Sequence, residues 1–290
     1  MVENGGAGLE ALSAGIYAST GRASTIGLTG APGVGKSTLA TELVRAGRDA
    51  GRSVAVLAID PTSPYTGGAL LGDRVRMQEH ATDPGVFIRS MATRGHLGGM
   101  ALAAPEAVRV LDAAGYDEIV VETVGVGQAE VEVAAATDTA VVVLAPGMGD
   151  AVQMAKAGIL EIADVFVVNK ADRDGAGDVI RELRQMLHLG AARAWEPPIL
   201  RTSALQREGV PELRAAIAEH RAFLDDSGAL LVKRRARLLR EVESLAAARF
   251  RVRAAAALAT DGALAEELIS RRVDPYRAAA MLADETAAAG

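Results

Sequence analysis

The sequence predicts an α/β fold with a doubly wound, mostly parallel sheet, followed by a C-terminal helical appendage. Seven apolar, β-branched runs are the candidate strands, at residues 25–29, 53–59, 86–90, 118–122, 139–145, 165–168 and 199–201. These runs are almost continuously apolar, as strands covered on both faces are. Helical spacing marks the stretches between them, at residues 37–50, 100–114, 179–189 and 211–223. Such alternation is typical of parallel sheets with crossover helices.

The chain after residue 226 shows helical spacing and no strand signal. Apolar side chains recur there among many arginines and glutamates, at Leu231, Leu238, Val242 and Leu245. We therefore predict a short N-terminal extension at 1–23, an α/β domain at 24–226 and a helical appendage at 227–290. An apolar stripe alone does not say what covers it. The appendage could pack on its own domain or act as a dimerisation arm.

Composition bounds the possible functions. The 290 residues are 50% hydrophobic, carry a net charge of −6 and include no cysteine. The absence of cysteine excludes disulfides, thiolate catalysis and cysteine-based metal sites. An acidic chain offers no electrostatic reason for a nucleic-acid or anionic-membrane partner. The N-terminus is polar and unlike a signal peptide, and the apolar runs are too short to span a bilayer, so we expect a cytoplasmic protein.

Residues 30–37, GAPGVGKS, match the Walker A pattern in full, between a predicted strand and a predicted helix. Glycines let successive N–H groups point at phosphate oxygens, and the helix adds its positive N-terminal end. Lys36 is expected to reach the β- and γ-phosphates, and Ser37 to give a hydroxyl to Mg²⁺. The predicted phosphate-binding residues are Gly30, Gly33, Val34, Gly35, Lys36, Ser37 and Thr38.

Residues 169–172, NKAD, follow a predicted strand and indicate a guanine site. Guanine presents two adjacent donors, N1–H and N2–H₂, and the carboxylate of Asp172 can accept both. Asn169 can bond N7 and tie this loop to the P-loop, while the stem of Lys170 covers the base. A backbone N–H after residue 201 can meet the guanine O6. The predicted base-binding residues are Asn169, Lys170, Asp172, Ser203, Ala204 and Leu205.

Carboxylates at the ends of predicted strands indicate a magnesium site. Asp60 and Glu122 each close an apolar run, and Asp73 lies in the sequence GDR at 72–74. Mg²⁺ prefers oxygen ligands, a few of them carboxylates. The predicted metal-binding residues are Ser37, Asp60, Asp73 and Glu122. Alternative roles are a turn or N-cap for Asp60 and a helix N-cap for Asp73.

Glycine-rich loops at the same edge of the sheet are predicted switch segments. They lie at residues 61–72, 94–99 and 147–150, the last running on to Gln153 and Lys156. A γ-phosphate could order such loops. Gly125, just after Glu122, is placed to offer a backbone N–H to that phosphate. Lys36, Asp60 and Glu122 are the predicted catalytic residues that these motifs indicate.

With these motifs located, the chain resembles the MeaB/ArgK family of P-loop GTPases, a member of the SIMIBI class also labelled LAO/AO transport system ATPase or kinase. Contiguous strings carry the resemblance: DPTS at 60–63, SMATRGHLGG at 90–99, VETVGVGQ at 121–128, GILEIAD at 158–164 and DPY at 274–276. Strings of this length make a chance match implausible.

The resemblance implies a function. Members of the family use GTP hydrolysis to time the chaperoning of adenosylcobalamin-dependent acyl-CoA mutases, such as methylmalonyl-CoA mutase, and are often homodimers through their C-terminal helices. The resemblance also implies that Gln153 and Lys156 lie in a switch that responds to the mutase, and it adds these two residues to the predicted catalytic residues. The variants at 64–65 and 91–94 look closer to those associated with isobutyryl- or hydroxyisobutyryl-CoA mutases.

Three other functions share parts of this sequence pattern. A metallochaperone GTPase would present cysteine or histidine clusters to soft metals, and this chain has no cysteine and four histidines. A P-loop kinase or ATPase of the arginine/ornithine transport type commonly uses ATP, which the guanine-specific loop disfavours. A signal-recognition GTPase normally carries an added RNA- or membrane-binding domain.

Overall fold

A computed structural model describes residues 2, 7–60, 77–80, 82–92, 99–123, 129–147, 159–190, 193–260 and 262–288. Seven strands form one sheet: β1 Ser24–Thr29, β2 Val54–Asp60, β3 Val86–Ala92, β4 Glu118–Thr123, β5 Thr139–Leu144, β6 Val165–Val168 and β7 Ile199–Arg201. All neighbouring strands are parallel, in the order β3-β2-β4-β1-β5-β6-β7. The predicted fold class is confirmed.

Helices connect the strands and continue after them. They are α1 Ala7–Ile16, α2 Lys36–Asp49, α3 Gly99–Ala113, α4 Ala129–Ala136, α5 Ile159–Ile162, α6 Ala176–Leu189, α7 Val210–Asp226, α8 Ala229–Thr260, α9 Gly262–Ile269 and α10 Pro275–Ala288. Short 3₁₀ turns lie at Tyr17–Ser19 and Gln78–His80. Among the helices described, none has a stretch both long and apolar enough to cross a membrane.

The connections place the end of β1 at a crevice in the sheet. From β1 the chain crosses to β2 on one side, while β5 pairs with β1 on the other. Ligands of open α/β sheets bind at such switch points, beyond the carboxyl ends of the strands. In the register, Leu28 of β1 lies opposite Glu122 of β4. Residues 30–37 and Glu122 therefore meet at one edge.

The core has apolar side chains on both faces of the sheet. One cluster joins β1, β2, β5 and β6 to α2 and α7, with Leu28, Leu39 and Leu213 buried in it. A second cluster packs α3 against the opposite face, and a third packs α6 beside β6. Burial on both faces explains why the strands read as continuous apolar runs.

The chain divides into two compact units, Met1–Arg237 and Leu238–Gly290. Within the second unit, Leu264, Ala278 and Leu282 form a small buried cluster. The carboxylate of Asp274 caps α10 by accepting the backbone N–H of Tyr276 at 2.9 Å. These helices confirm the helical appendage, while the boundary at 226/227 stays a prediction.

A buried carboxylate ties the start of α8 to the amino end of the sheet. The Asp138 side chain, just before β5, is fully buried. Arg234 donates to its two oxygens at 2.6 and 3.1 Å. Arg221 and Arg237 donate to it at 3.3 and 3.4 Å. We call these four residues the Asp138 cluster. Three cations around one carboxylate make that carboxylate difficult to replace.

We expect Asp138→Asn to lower the free energy of unfolding by about 3 kcal/mol, because removing one partner of a buried ion pair leaves the remaining charges uncompensated. The arginines are 17–24% exposed, which places the cost toward the lower end of the usual range. Urea unfolding can be followed by the fluorescence of the single tryptophan, Trp195, which lies near this edge. Asp225→Asn is the matched control, because Asp225 also pairs with Arg221 but is half exposed. Equal stability of the two variants would contradict the prediction.

The effect of Asp138→Asn should depend on pH. Burial alone raises the pKa of Asp138, but the hydrogen bond from Arg234 and the surrounding arginine charges outweigh burial and hold the pKa below its ordinary value of 3.8. A carboxyl with a depressed pKa stabilises the fold above its unfolded pKa and loses that contribution as pH falls through its folded pKa. The stability difference between wild type and variant should therefore be full at about pH 7 and shrink below about pH 4.

Candidate nucleotide site

The loop between β1 and α2 curls through three glycines with positive φ: Gly30 at 138°, Gly33 at 80° and Gly35 at 96°. Side chains rarely adopt these angles. Space is also limiting, because a Cβ on Gly30 would lie 2.1 Å from the carbonyl oxygen of Val143 on β5. Only glycine fits there, and the loop keeps the curl that phosphate binding by backbone N–H groups requires.

Lys36 is the first residue of α2 and is buried. Its Nζ donates to the carbonyl oxygens of Gly30 at 2.6 Å and Ala31 at 2.9 Å. The ammonium group is therefore held inside the loop, as the predicted phosphate contact requires. Thr38 follows in the first turn of α2 and is partly buried.

Ser37 and Glu122 form the part of the site suited to magnesium. The Ser37 hydroxyl donates to Glu122 Oε1 at 2.6 Å, and both residues are buried. A hydroxyl and a carboxylate side by side are oxygen ligands of the kind Mg²⁺ takes alongside phosphate and water, so the donor set fits this ion. No group of three or more acidic or histidine side chains able to hold a metal occurs within the part of the chain that is described.

Asn169 joins the base loop to the P-loop. Its Nδ2 donates to the carbonyl oxygen of Val34 at 2.8 Å. Its Oδ1 accepts the Thr202 hydroxyl at 3.0 Å and the Ala204 N–H at 3.1 Å. The hydrogen bond from Asn169 to Val34 is the link that the sequence predicts between the base loop and the P-loop. Thr202 was not among the predicted site residues. Its position directly after β7 and before the predicted Ser203 could have indicated it.

Lys170 and Asp172 complete this side of the site. Lys170 Nζ donates to the carbonyl oxygen of Gly33 at 2.6 Å, so its stem extends towards the P-loop. The exposed Asp172 accepts the Ser203 hydroxyl at 2.7 Å through Oδ1. That hydrogen bond, followed by one from its own backbone N–H, lowers the pKa of Asp172. The group is therefore an ionised acceptor, as pairing with two guanine donors needs.

Most predicted residues thus belong to one connected set at the carboxyl edge of the sheet. Leu205 differs, because its side chain is 84% exposed and only its backbone is suited to a base. Asp60 ends β2 at this edge, but its side chain lies outside the described part. Four further predicted residues lie wholly outside the described residues: Asp73, Gly125, Gln153 and Lys156.

Known proteins with similar sequences are named as GTPases, which agrees with a nucleotide site at this edge of the sheet. The sequence profile of a family described as "Methylmalonyl Co-A mutase-associated GTPase MeaB" matches residues 2–259. A protein of Pyrococcus horikoshii named as a GTPase is 48% identical over 289 residues, covering 98% of this chain and 91% of that protein. GTPase ArgK of Escherichia coli is 41% identical over 210 residues, covering 71% of this chain and 63% of ArgK.

A solved structure extends the similarity to the fold. The crystal structure of an LAO/AO transport system kinase has a TM-score of 0.67 and 26% sequence identity, over 96% of this chain and 86% of that one. The names of the sequence relatives agree with the guanine preference that residues 169–172 predict.

Proposed function

Because this chain belongs to the MeaB family of GTPases, we propose that it is a GTP-driven switch that chaperones a cobalamin-dependent acyl-CoA mutase. The partner is methylmalonyl-CoA mutase or a related isobutyryl- or hydroxyisobutyryl-CoA mutase. The observation that supports the proposal is the set of hydrogen bonds that connects the P-loop to residues 169–172, in a chain whose family description names the mutase.

In the proposed reaction, water attacks the γ-phosphate of GTP and GDP leaves with the electrons of the broken P–O bond. Lys36 holds the β- and γ-phosphates, and the P-loop N–H groups hold their oxygens. Ser37 and Glu122 would hold Mg²⁺, with Asp60 and Asp73 as further proposed ligands. When bound, the ion would neutralise charge that develops on the phosphates. Asp172 selects guanine.

The proposed switch uses segments that leave the sheet next to this site. Strand β4 leads to Gly125, and β5 leads through Gly147 to Gln153 and Lys156. Both strands border β1, whose end forms the P-loop. We propose that a γ-phosphate orders these segments, so that a partner that binds them responds to the same phosphate.

The decisive measurement is mutase binding in the two nucleotide states. We expect the affinity for the cognate mutase to differ by about 5–150-fold between GDP and a non-hydrolysable GTP analogue, the usual range of allosteric coupling. By reciprocity, the mutase should change the affinity for the analogue by the same factor. Lys36→Ala is the control, since loss of nucleotide should remove the difference. If each candidate mutase from the same cell fails to bind in both states, the chaperone assignment fails and the GTPase assignment remains.

A second candidate is phosphoryl transfer to an acceptor other than water, which the similarity to an LAO/AO transport system kinase favours. The two are separated by following the label of γ-³²P GTP. Release as inorganic phosphate supports the switch, and label on a protein or small molecule supports a kinase.

We also propose a cytoplasmic homodimer formed through α8. In the second unit this helix exposes apolar side chains to solvent, among them Leu238, Leu239, Val242 and Val252. Residues 238, 245 and 252 are all apolar at intervals of seven, which is the spacing of a helix that pairs with another helix.

A further inference from the structure

A cleft of about 330 Å³ lies at the amino edge of the sheet, opposite the nucleotide site. It is bounded by the starts of β1 and β4 and by one face of α7. The P-loop follows the far end of β1, so roughly 20 Å of strand separates the two places. Four arginines line the cleft: Arg22, Arg52, Arg214 and Arg221.

The acidic side chains of this cleft already have partners. Glu118 accepts Arg214 through both oxygens, at 2.9 and 3.0 Å. Asp117 accepts the backbone N–H and the hydroxyl of Ser53, each at 2.8 Å. Asp225 accepts Arg221 Nε at 2.9 Å. These carboxylates therefore repel an incoming anion less than their number suggests.

The arginines retain donors. A guanidinium carries five N–H groups, and the pair with Glu118 uses two of those on Arg214. Arg52 is half exposed and has a contact of 3.5 Å to Glu118. The Arg22 side chain makes neither a hydrogen bond nor an ion pair with any residue in the described ranges.

One part of the wall is a packed ion pair and another part is apolar. A Cβ at Gly47 of α2 would lie 3.2 Å from Arg214 Nη1 and 3.3 Å from Glu118 Oε2, so that ion pair packs directly against the helix. Ile26 and Ile217 also line the cleft, and both belong to the buried core cluster. A ligand would meet the guanidinium group of Arg214, which Glu118 holds in place, together with hydrocarbon from Ile26 and Ile217.

We propose that this cleft binds a small organic anion with at least two carboxylate or phosphate groups. Guanidinium groups bind both kinds of oxyanion through paired N–H···O bonds. The apolar wall favours an organic skeleton over a bare inorganic ion. The volume lies at the lower end of the range for small-molecule pockets, about 300–1,000 Å³. The ligand joins β1, β4 and α7 and so stabilises the folded domain.

The test is calorimetric titration of the protein saturated with GDP and Mg²⁺, so that the P-loop is occupied. The probes are glutarate, with two carboxylates, and 1,3-propanediol bisphosphate, with two phosphate esters, and sodium chloride at matched ionic strength is the blank. We expect saturable binding of at least one probe, and the stronger probe identifies the group that the ligand carries.

The variant that tests the site is R22A/R52A, which removes two exposed cations and leaves the Arg214–Glu118 pair intact. We expect the probe affinity to fall about tenfold or more, because hydrogen bonds to charged groups are lost. Arg181→Ala is the matched control, an exposed arginine of α6 paired with Asp178. Unchanged GDP affinity shows that the double variant is folded. Absence of saturable binding in wild type, or equal binding by the double variant and the control, overturns the proposal.

Discussion

Asp172→Asn is expected to lower the affinity for GTP by about 10⁴-fold, the discrimination that a site built to hydrogen-bond its ligand can reach. The prediction rests on the proposed pairing of the ionised carboxylate with N1–H and N2–H₂ of guanine; an amide in its place would present a donor to one of them. Xanthine has an oxygen where guanine has the N2 amine, so the variant should gain affinity for xanthosine triphosphate. Ser203 holds Asp172 in place through Oδ1, so the geometry should survive the change.

The measurement is competition of GTP, ATP and xanthosine triphosphate against a fluorescent GDP analogue. Asp174→Asn is the control, since Asp174 is an exposed carboxylate of the same loop and should leave the preference unchanged. Equal affinity of the wild-type protein for ATP and GTP would contradict the assignment of guanine selectivity to Asp172.

Binding of the cognate mutase is expected to accelerate GTP turnover by about 10³–10⁵-fold, the worth of groups positioned at the γ-phosphate in the transition state. Slow turnover in isolation is expected because, among the described residues, no arginine or glutamine side chain is hydrogen-bonded to the phosphate loop at 30–37. Gln153 and Lys156 are the proposed groups that the mutase positions. Gln153→Ala and Lys156→Ala should therefore lose most of the ratio of stimulated to basal rate.

Turnover with and without the mutase gives this ratio for each variant. Gln185→Ala is the control, because Gln185 is exposed on α6, away from the nucleotide edge. Full stimulation of the Gln153 and Lys156 variants would mean that the mutase supplies the accelerating groups itself, and the proposed switch role would be wrong.

The parts of the fold that the sequence predicts are those set by local rules. Residues 165–168 are four apolar residues in a row, and they form β6 with every residue buried. The conformation of residues 30–37 depends on their glycines, and positive φ is observed at all three. A motif of this kind predicts both a loop and its ligand, because the backbone itself is the binding group.

Features that depend on distant partners were not predicted. Helix α1 has ten residues, a length that is marginal alone. It packs beside α3, where Ser13 donates to Glu106. The Asp138 cluster joins residues almost a hundred positions apart, since Arg234 follows Asp138 by 96. No local pattern around Asp138 indicates which cations will reach it.

The hydrogen bonds of Asn169 limit how nucleotide specificity can be transferred from one protein to another. Its amide nitrogen needs the acceptor on Val34, and its oxygen needs the donors on Thr202 and Ala204. Neither an acid nor an amine at this position can serve both sides. Residues 169–172 moved alone into another scaffold would arrive without any of these three supports. A transfer of the predicted guanine preference would therefore have to include the P-loop and the turn after β7 together with residues 169–172.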